Sequence, residues 1–181
     1  MKITELSLEG VKILEPDYFE DYRGYYCESY SARTLREFGI ETTFVQDNHI
    51  LSAKAMTLRG IHFQNMPKAQ AKLLRCTRGK IMDFVVDLRR NSPNFKKWIA
   101  IELSKENRKQ IFIPKGFGHA CLSLLDNSEI QYKVDEFYDP EYDRAIAWND
   151  AEIAINWGTD HPILSLKDAN APTLCESDFN L

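Results

Sequence analysis

The sequence lacks long apolar segments and an excess of positive charge. Its longest apolar runs cover only a few residues, too few to cross a bilayer, and its first residues contain no apolar region typical of a signal peptide. The net charge of −4 disfavours nonspecific binding to nucleic acid, which needs a basic surface, although a small pocket can be basic inside an acidic protein. We therefore expect a cytoplasmic protein that binds neither membranes nor nucleic acid.

Paired cysteines, internal repeats and linkers are also absent. Cys27, Cys76, Cys121 and Cys175 lie far apart, without the spacing of a zinc site, which favours free thiols in a cytosolic protein. There is no glycine-rich nucleotide-binding loop, low-complexity tract or Pro/Gly/Ser linker. With 181 residues, of which 44% are hydrophobic, we expect a single domain over residues 1–181 with a substantial core.

Short β-type segments separated by turn residues dominate what is present. Eight are predicted as strands: 25–30, 43–50, 71–77, 81–88, 98–103, 110–113, 121–125 and 130–134. One helix is predicted after Ser31, because Leu35 and Phe38 are three residues apart and Ser31 can cap the first turn. Many short strands with few helices indicate a β-barrel or jelly roll. The mixed stretch from Asn149 onward is expected to wrap over the barrel.

Two segments resemble the metal-binding motifs of cupins but lack a full set of ligands. Residues 114–119, Pro-Lys-Gly-Phe-Gly-His, have the Pro-x-Gly-x-x-His form of the second cupin motif. In residues 59–64, Arg-Gly-Ile-His-Phe-Gln, Gln64 replaces the second histidine, and Gln70 and Lys72 stand where a ligating glutamate is needed. Two histidines, an amide and a cation do not form the ligand set of a divalent metal. We expect no metal and no cofactor, and the nearby cations favour an anionic substrate.

The four histidines have different interpretations. His62 and His119 lie in the cupin-like segments, whose strands would direct both side chains into one cavity, so a functional role is favoured for them. His161 is interpreted as a surface or structural residue, and the role of His49, in a polar part of a strand-like segment, stays open. A histidine acts as a base near neutral pH when a carboxylate fixes its tautomer. Asp168 is the candidate, although composition alone does not distinguish it from other surface aspartates.

Cations and tyrosines supply further candidates. Arg23, Arg59 and Lys72 lie in or beside strand-like segments, where the ordinary interpretation of any single cation is a solvated side chain. A guanidinium group nevertheless suits phosphate oxygens, and an ammonium group suits a developing oxyanion. Tyrosines in the segment 132–142 are typical rim residues of strands. One of them opposite His62 would be a proton donor, and another could stack on a nucleobase.

Taken together, these segments resemble the dTDP-4-dehydrorhamnose 3,5-epimerase family of nucleotide-sugar enzymes over most of the chain. The matches begin with Phe19-x-Asp21-x-Arg23-Gly24, Gln46-Asp47-Asn48 and Leu58-Arg59-Gly60-Ile61-His62-Phe63-Gln64. They continue with Gln70-x-Lys72, Val86-Asp87-Leu88-Arg89, Ile113-Pro114-x-Gly116-Phe117-x-His119, Tyr132, Tyr138, Trp148-Asn149-Asp150 and Leu164-Ser165-x-Lys167-Asp168. The ordered succession of matches carries the resemblance, since any one of them alone would be weak.

The resemblance implies a mainly β fold, the cupin-type double-stranded β-helix or jelly roll, with a few short helices. It implies a metal-independent enzyme, usually a homodimer whose N-terminal strands reach the partner's site, that acts on a dTDP-4-keto-6-deoxyhexose. The reaction inverts C3 and C5 by proton abstraction and reprotonation through an enolate. Such chemistry needs a base, a stabilised enolate and an acid on the opposite face, and it needs no redox cofactor.

The resemblance also implies roles for individual residues. His62 would be the base, held by Asp168, with Tyr132 as the acid on the opposite face and Lys72 beside the enolate oxygen. Ten further side chains would contact the substrate: Arg23 and Arg59 at the diphosphate, Glu28, Gln46, Asp47 and Asn48 at the nucleotide, Tyr138 against the base or sugar, and His119, Asp143 and Lys167 elsewhere in the site.

Three positions depart from the family pattern. Ala120 replaces a glycine, Asp139 replaces a bulky aromatic residue, and Asp143 replaces a glutamate. These changes leave the acid–base residues in place, but relatives with the same machinery invert one carbon only or use another nucleotide sugar. The alternatives are therefore a single-centre (C3 or C5) epimerase on a related nucleotide-linked 4-keto sugar, a metal-dependent cupin enzyme, which Gln64 disfavours, and a sugar-binding cupin without catalysis.

Overall fold

The computed structural model describes residues 1–181, which form thirteen strands and two short helices. The strands are β1 (Lys2–Glu5), β2 (Lys12–Glu15), β3 (Tyr18–Asp21), β4 (Gly24–Cys27), β5 (Gln46–Ser52), β6 (Leu58–Gln64), β7 (Lys72–Arg78), β8 (Lys80–Asp87), β9 (Trp98–Ser104), β10 (Gln110–Ile113), β11 (Phe117–Ser123), β12 (Ser128–Val134) and β13 (Asp143–Ala145). The helices are α1 (Ala32–Glu37) and α2 (Leu166–Ala169). Neither helix has the length and apolar character needed to span a membrane.

Two antiparallel sheets face each other and form a cupin-type jelly roll. The larger sheet has the strand order β1-β2-β10-β7-β12-β5, and the smaller sheet has the order β13-β6-β11-β8-β9. Neighbouring strands are mostly distant in the sequence, as in the double-sheet architecture of a jelly roll. The predicted mainly β, cupin-type fold is confirmed. A separate hairpin of β3 and β4 belongs to neither sheet.

The main core lies between the two sheets. Ile13, Leu74 and Ile111 of the larger sheet pack with Ile81 and Val85 of the smaller sheet, and all five are buried. Because side chains alternate across a strand, every second residue of β7, β11 and β12 points into this interior. Polar residues at such positions therefore enter the same space as the core and must find partners there.

The outer face of the smaller sheet is covered by the C-terminal part of the chain. Phe84 of β8 packs against Trp157, with ring centroids 4.5 Å apart, and Leu174 and Phe179 are buried in the same cluster. The prediction that the stretch from Asn149 onward wraps over the barrel is confirmed. This cover makes the smaller sheet a rigid, doubly buried support for residues on its inner face.

Helix α1 covers part of the outer face of the larger sheet. Its Leu35 is buried against Leu73 and Phe112. Ser31 caps the helix as predicted, because its side chain accepts a hydrogen bond from the backbone N–H of Thr34 at 3.3 Å.

All eight predicted strands overlap observed ones, but several boundaries were wrong. The strand predicted at 121–125 begins at Phe117, so that it includes His119, and the strand predicted at 43–50 is displaced towards its C-terminus as Gln46–Ser52. Six observed elements were not among the predicted ones: the short elements β1, β2, β3, β13 and α2, and the seven-residue strand β6, whose His62 segment was recognised only as a cupin-like motif. Their formation depends on tertiary pairing, such as that of β13 with β6.

Candidate active site

A cavity of about 210 Å³ lies between the two sheets. Its walls combine apolar side chains with cations, histidines and a tyrosine, and the lining comprises Ile50, Arg59, His62, Phe63, Gln64, Gln70, Lys72, Leu74, His119, Cys121, Ile130, Tyr132, Tyr138, Asp143 and Lys167. Eight of the fourteen predicted site residues are among them. A largely apolar pocket with a few convergent polar groups is the usual form of a small-molecule site.

His62 forms a hydrogen-bonded pair with Asp168. The His62 Nε2 lies 2.5 Å from Oδ1 of Asp168, although 106 residues separate them. Asp168 is 3% exposed and sits in α2, whose N-cap Ser165 donates its hydroxyl to Oδ2 at 2.9 Å. With the carboxylate ionised, Nε2–H donates to it, which leaves Nδ1 without a protein partner. His62 is therefore oriented as a base whose free nitrogen can accept a proton.

The surroundings of Asp168 favour its charged form. Burial by itself would raise its pKa, but the hydrogen bond and charge of His62, followed by the hydrogen bond from Ser165, hold the pKa below its usual value. An ionised carboxylate stabilises the imidazolium that forms when His62 takes up a proton. The pair is thus suited to proton abstraction near neutral pH.

A second histidine–carboxylate pair lies beside the first. His119 on β11 is directly opposite His62 in the register of β6 and β11, and its Nε2 lies 2.7 Å from Oδ2 of Asp83. Burial lowers the pKa of His119, even though Asp83 opposes this effect. His119 is therefore a neutral ring at neutral pH, suited to hydrogen bonding.

Lys72 and Tyr132 enter the cavity from the larger sheet, opposite His62. Lys72 is 8% exposed, and burial lowers its pKa to about 8 although Asp83 favours its charge. Burial also raises the pKa of Tyr132, so its phenol keeps its proton at neutral pH. One side of the cavity therefore carries a base, and the facing side carries a cation and a potential acid.

A three-residue network lies at one side of the cavity. Tyr138 donates its hydroxyl to Oδ2 of Asp143 at 3.2 Å, and Lys167 forms an ion pair with the same carboxylate. The negative charge of Asp143 raises the pKa of Tyr138. Because Lys167 precedes Asp168 in α2, this network also links the position of α2 to β13.

The two glutamines that replace metal ligands hold the segment after β12. Gln64 donates to the carbonyl groups of Lys68 at 2.7 Å and Phe137 at 3.2 Å, and Gln70 donates to the carbonyl of Glu136 at 2.8 Å. In addition, no three His, Cys, Asp or Glu side chains are grouped so that they could hold a metal ion. The side chains at the cupin positions therefore do not fit a metal, and the amides instead fix the backbone that leads to Tyr138.

Arg59 contacts the end of β5, whereas the start of β5 lies beside the Tyr138 segment. The Arg59 Nη2 donates to the carbonyl of Leu51 at 3.2 Å and its Nε to Ser52 at 3.3 Å, so the guanidinium group is fixed at the cavity wall. Gln46 donates to Asn48 at 2.9 Å and accepts from the backbone N–H of Tyr138 at 3.2 Å. Two members of the Gln46-Asp47-Asn48 segment thus lie beside the Tyr138 segment.

Five predicted substrate-binding residues do not line the cavity of this chain. Gln46 and Asn48 lie beside the Tyr138 segment, and the other three have partners elsewhere. Arg23 is in the turn between β3 and β4, with its guanidinium bonded to Asp21. Glu28 accepts a hydrogen bond from Thr34. Asp47 points to the opposite face of β5 and pairs with Lys133 at 2.8 Å. A role for Arg23, Glu28 and Asp47 in substrate binding stays a prediction that one chain alone does not fulfil.

Two residues of the site were missed by the sequence analysis. Ser165 could have been found, because a serine three residues before an acidic residue is a typical helix-capping pattern. Asp83 carried no such signal. Only the pairing of β8 with β11 brings it to His119, which is 36 residues away in the sequence.

Comparison with known proteins gives matches over nearly the full chain. The sequence model described as dTDP-4-dehydrorhamnose 3,5-epimerase matches residues 5–176. A dTDP-4-dehydrorhamnose 3,5-epimerase of Escherichia coli K12 is 47% identical over 178 residues, which cover 97% of this chain and 96% of the relative.

Two solved structures are also very similar. The dTDP-4-dehydrorhamnose 3,5-epimerase of Bacillus anthracis, with TDP and PPi bound, has a TM-score of 0.93 at 46% identity. This match covers 96% of the present chain and 99% of the Bacillus chain. The dTDP-6-deoxy-D-glucose-3,5-epimerase of Legionella pneumophila, in complex with dTDP-4-keto-L-rhamnose, has a TM-score of 0.93 at 38% identity. This match covers 98% of the present chain and 94% of the Legionella chain.

Proposed function

The chain belongs to the dTDP-4-dehydrorhamnose 3,5-epimerase family, and we propose that its cavity inverts C3 and C5 of a dTDP-4-keto-6-deoxyhexose. The protein is an isomerase of the carbohydrate epimerase type. The observation that carries the proposed mechanism is the position of the His62–Asp168 pair across the cavity from Lys72 and Tyr132.

Proton abstraction begins at His62. The C–H bond next to a keto group is weakly acidic, so its proton is removed only if the resulting enolate is stabilised. His62 Nδ1 takes the proton, and Asp168 stabilises the imidazolium through the 2.5 Å contact with Nε2. The Lys72 ammonium balances the charge that develops on the enolate oxygen, and burial strengthens that interaction because little water screens it.

Inversion follows when the proton returns from the other face. His62 belongs to the smaller sheet and Tyr132 to the larger sheet, so a sugar ring held between the sheets has one group on each side. Tyr132 holds its proton at neutral pH and can donate it to the carbon that His62 has deprotonated. An acid and a base on opposite faces are what a change of configuration needs, whereas a single group would return the proton to its original side.

The nucleotide end of the substrate is assigned to the rim. Arg59 offers a fixed guanidinium group for diphosphate oxygens, and Tyr138 offers an exposed aromatic face for the base or sugar. His119, Asp143 and Lys167 line the same cavity and are assigned to further substrate contacts. Gln46 and Asn48, which lie beside the Tyr138 segment, complete the proposed nucleotide contacts.

The β3–β4 hairpin supports the proposal of a homodimer. Phe19, Tyr22 and Tyr26 are exposed on it, and Tyr22 is 97% exposed. Arg108 anchors its base, because the guanidinium carbon lies 4.5 Å and 4.7 Å from the ring centroids of Tyr18 and Tyr25. An exposed apolar patch of this kind is typical of an interaction surface. In a homodimer the hairpin would bring Arg23 and Glu28 to the partner's cavity.

The proposal has three further parts, which concern metal independence, domain organisation and location. Metal independence is supported by the engagement of His62 and His119 with carboxylates and by the amides at the ligand positions. A single domain over residues 1–181 is supported by the continuous cores on both faces of the smaller sheet. The cytoplasmic location stays a prediction from the sequence.

The test is hydrogen exchange in heavy water. The metal-stripped protein is given dTDP-4-keto-6-deoxyglucose, and deuterium at C3 and C5 is followed by proton NMR. Exchange at both carbons is expected, and exchange at one carbon would show the single-centre variant. No exchange at either carbon would refute the proposed substrate, and recovery of activity only after metal addition would refute metal independence.

A further inference from the structure

A short segment outside the cavity bridges β6 and β13, two strands that contribute to the cavity wall. Its Asp178 forms a two-point ion pair with Arg144 of β13, in which the Nε–Oδ1 distance is 2.6 Å and the Nη2–Oδ2 distance is 2.9 Å. Its Asn180 bonds to the backbone that directly follows β6. Neither residue lines the cavity. We call residues 178–180 the clasp, because they hold the two strands from outside.

The side chains of Asn180 and Asn65 bond across to each other's segment. The Asn180 side chain accepts from the N–H of Met66 at 2.7 Å and donates to the Met66 carbonyl at 3.2 Å. The Asn65 side chain accepts from the N–H of Asn180 at 3.0 Å and donates to the carbonyl of Asp178 at 3.2 Å. Asn65 is 5% exposed, so its buried amide depends on the clasp for its partners.

Phe179 anchors the clasp to the cluster that covers the smaller sheet. Its ring is buried, with the centroid 6.5 Å from that of Phe63 on β6, and its carbonyl accepts from Nη2 of Arg90 at 3.1 Å. The flanking residues Asp178 and Asn180 are exposed. Their side chains can therefore be removed without opening the core.

Through Arg144 the clasp reaches the turn that leads to Asp143. The Arg144 Nη1 donates to the carbonyl groups of Glu141 at 2.9 Å and Asp143 at 3.0 Å, while its other two nitrogens hold Asp178. The same guanidinium group thus connects the clasp to the start of β13. Asp143 lines the cavity and accepts the hydroxyl of Tyr138, so the position of this turn affects both side chains.

Through Asn65 the clasp reaches the segment that carries Tyr138. Gln64, which directly precedes Asn65, accepts from the N–H of Asp139 at 2.8 Å and donates to the carbonyl of Phe137 at 3.2 Å. Tyr138 lies between these two residues and lines the cavity. Both connections of the clasp therefore end at the same part of the cavity wall.

We propose that Asp178 and Asn180 are positioning residues, and that the clasp holds the part of the wall formed by Tyr138 and Asp143 in the orientation that receives the substrate. The clasp acts through the residues that it fixes and not by contact with the substrate. Its effect on binding rests on the proposed function, because Tyr138 and Asp143 are taken as substrate contacts. Its effect on the order of the wall does not rest on it.

The acid–base residues are held independently of the clasp. His62 is fixed by its bond to Asp168 and by the pairing of β6 with β11, and Lys72 and Tyr132 belong to the larger sheet. Loss of the clasp should therefore weaken substrate binding while proton transfer in the bound complex continues.

The double variant Asp178→Ala/Asn180→Ala removes both side-chain links and leaves Phe179 in place. Because a lost or misaligned hydrogen bond weakens an interaction by roughly three- to tenfold, the Kd of dTDP and the KM of dTDP-4-keto-6-deoxyglucose should rise by about that factor. The kcat for deuterium exchange should stay within about twofold of the wild type. Unchanged Kd and KM would overturn the proposal. A fall in kcat in step with a lower melting temperature would show general destabilisation and also overturn it.

Glu152→Ala is the matched control. Glu152 is also an exposed acidic residue of the stretch that covers the smaller sheet, but its hydrogen bonds go to Lys96 and Asp150 and not to β6 or β13. This variant should keep the wild-type Kd and KM even if it melts at a lower temperature. An equal rise of both constants in Glu152→Ala would show that any loosening of the cover has this effect, and it would overturn the proposal.

Amide hydrogen exchange without substrate separates this proposal from the proposed function. The N–H groups of Tyr138 and Asp139 are bonded to Gln46 and Gln64, and in the double variant they should exchange about three- to tenfold faster than in the wild type. Unchanged exchange overturns the proposal even if the epimerase assay succeeds. Faster exchange in a protein that neither binds dTDP nor has epimerase activity supports the clasp and refutes the proposed function instead.

The single variant Asn180→Ala keeps the test valid if the double variant does not fold. It leaves the ion pair of Asp178 with Arg144 in place and removes only the two bonds to Met66. We expect about threefold faster exchange of the Tyr138 and Asp139 amides, and wild-type exchange in this variant would overturn the proposal.

Discussion

Replacement of Lys72 by methionine should make the protein more stable and nearly inactive. Lys72 is 8% exposed, and burial lowers its pKa from 10.5 to about 8. Because a tenfold change in a protonation equilibrium corresponds to about 1.4 kcal/mol, the charged side chain costs roughly 3 kcal/mol at neutral pH. This figure already includes the attraction of Asp83. Methionine has a similar length and no charge, so Lys72→Met should raise the free energy of unfolding by about 1–3 kcal/mol.

The pH dependence identifies the cause. Between about pH 8 and the ordinary lysine pKa, the unfolded chain binds a proton at Lys72 that the folded protein does not, so the stability of the wild type rises with pH. The advantage of Lys72→Met is therefore complete below about pH 8 and declines towards zero above pH 10.5. Urea unfolding of both proteins from pH 6 to pH 10 measures this difference.

The same variant tests the role of the ammonium in catalysis. Loss of one group that stabilises an oxyanion typically lowers kcat by about 10²–10³. We expect this loss in Lys72→Met, measured as the rate of deuterium exchange. A variant that is less stable than the wild type at pH 7, or a stability difference that does not change with pH, would refute the reasoning about the buried charge. Near-normal turnover would refute the role at the enolate.

Three further predictions concern the acid–base residues. His62→Asn should lower turnover by about 10²–10⁴ with little change in dTDP affinity by calorimetry, and near-normal turnover would remove His62 as the base. Tyr132→Phe should impair inversion more than initial deuterium exchange, whereas equal and slight effects on both would remove Tyr132 as the acid. Ser165→Ala loses both the helix cap and the hydrogen bond to Asp168, so the free energy of unfolding should fall by about 1 kcal/mol and the acid limb of kcat/KM should shift. Ser165→Thr keeps the hydroxyl and should restore the wild-type profile, and an equally shifted profile would contradict the assigned hydrogen bond.

The sequence located strands of both sheets, including the edge strand β9, but missed β6 and several short elements. β7, β10 and β12 were located to within a few residues because their apolar runs are long enough to identify and their ends carry turn residues. β13 and α2 were missed, although they carry Asp143 and Asp168. Segments this short are stabilised mainly by contacts with distant strands, and such contacts leave no local period in the sequence.

The site residues were also predicted only in part. His62, Lys72 and Tyr132 were identified from motifs, and the alternation of side chains along their strands does place them in one cavity. Asp47 was assigned to the same site as Gln46 and Asn48, but the same alternation directs it to the opposite face of β5.

The sequence by itself determined the chemistry that is available, because the types and order of the residues specify a base, a buried cation, an acid and amides in place of metal ligands. The tertiary structure decided which groups meet. Asp168 reaches His62 across 106 residues, and Asp83 reaches His119 through the pairing of β8 with β11. The physical reason is that hydrogen bonds and charge interactions depend on distances of a few ångströms, and only the packing of the two sheets sets those distances.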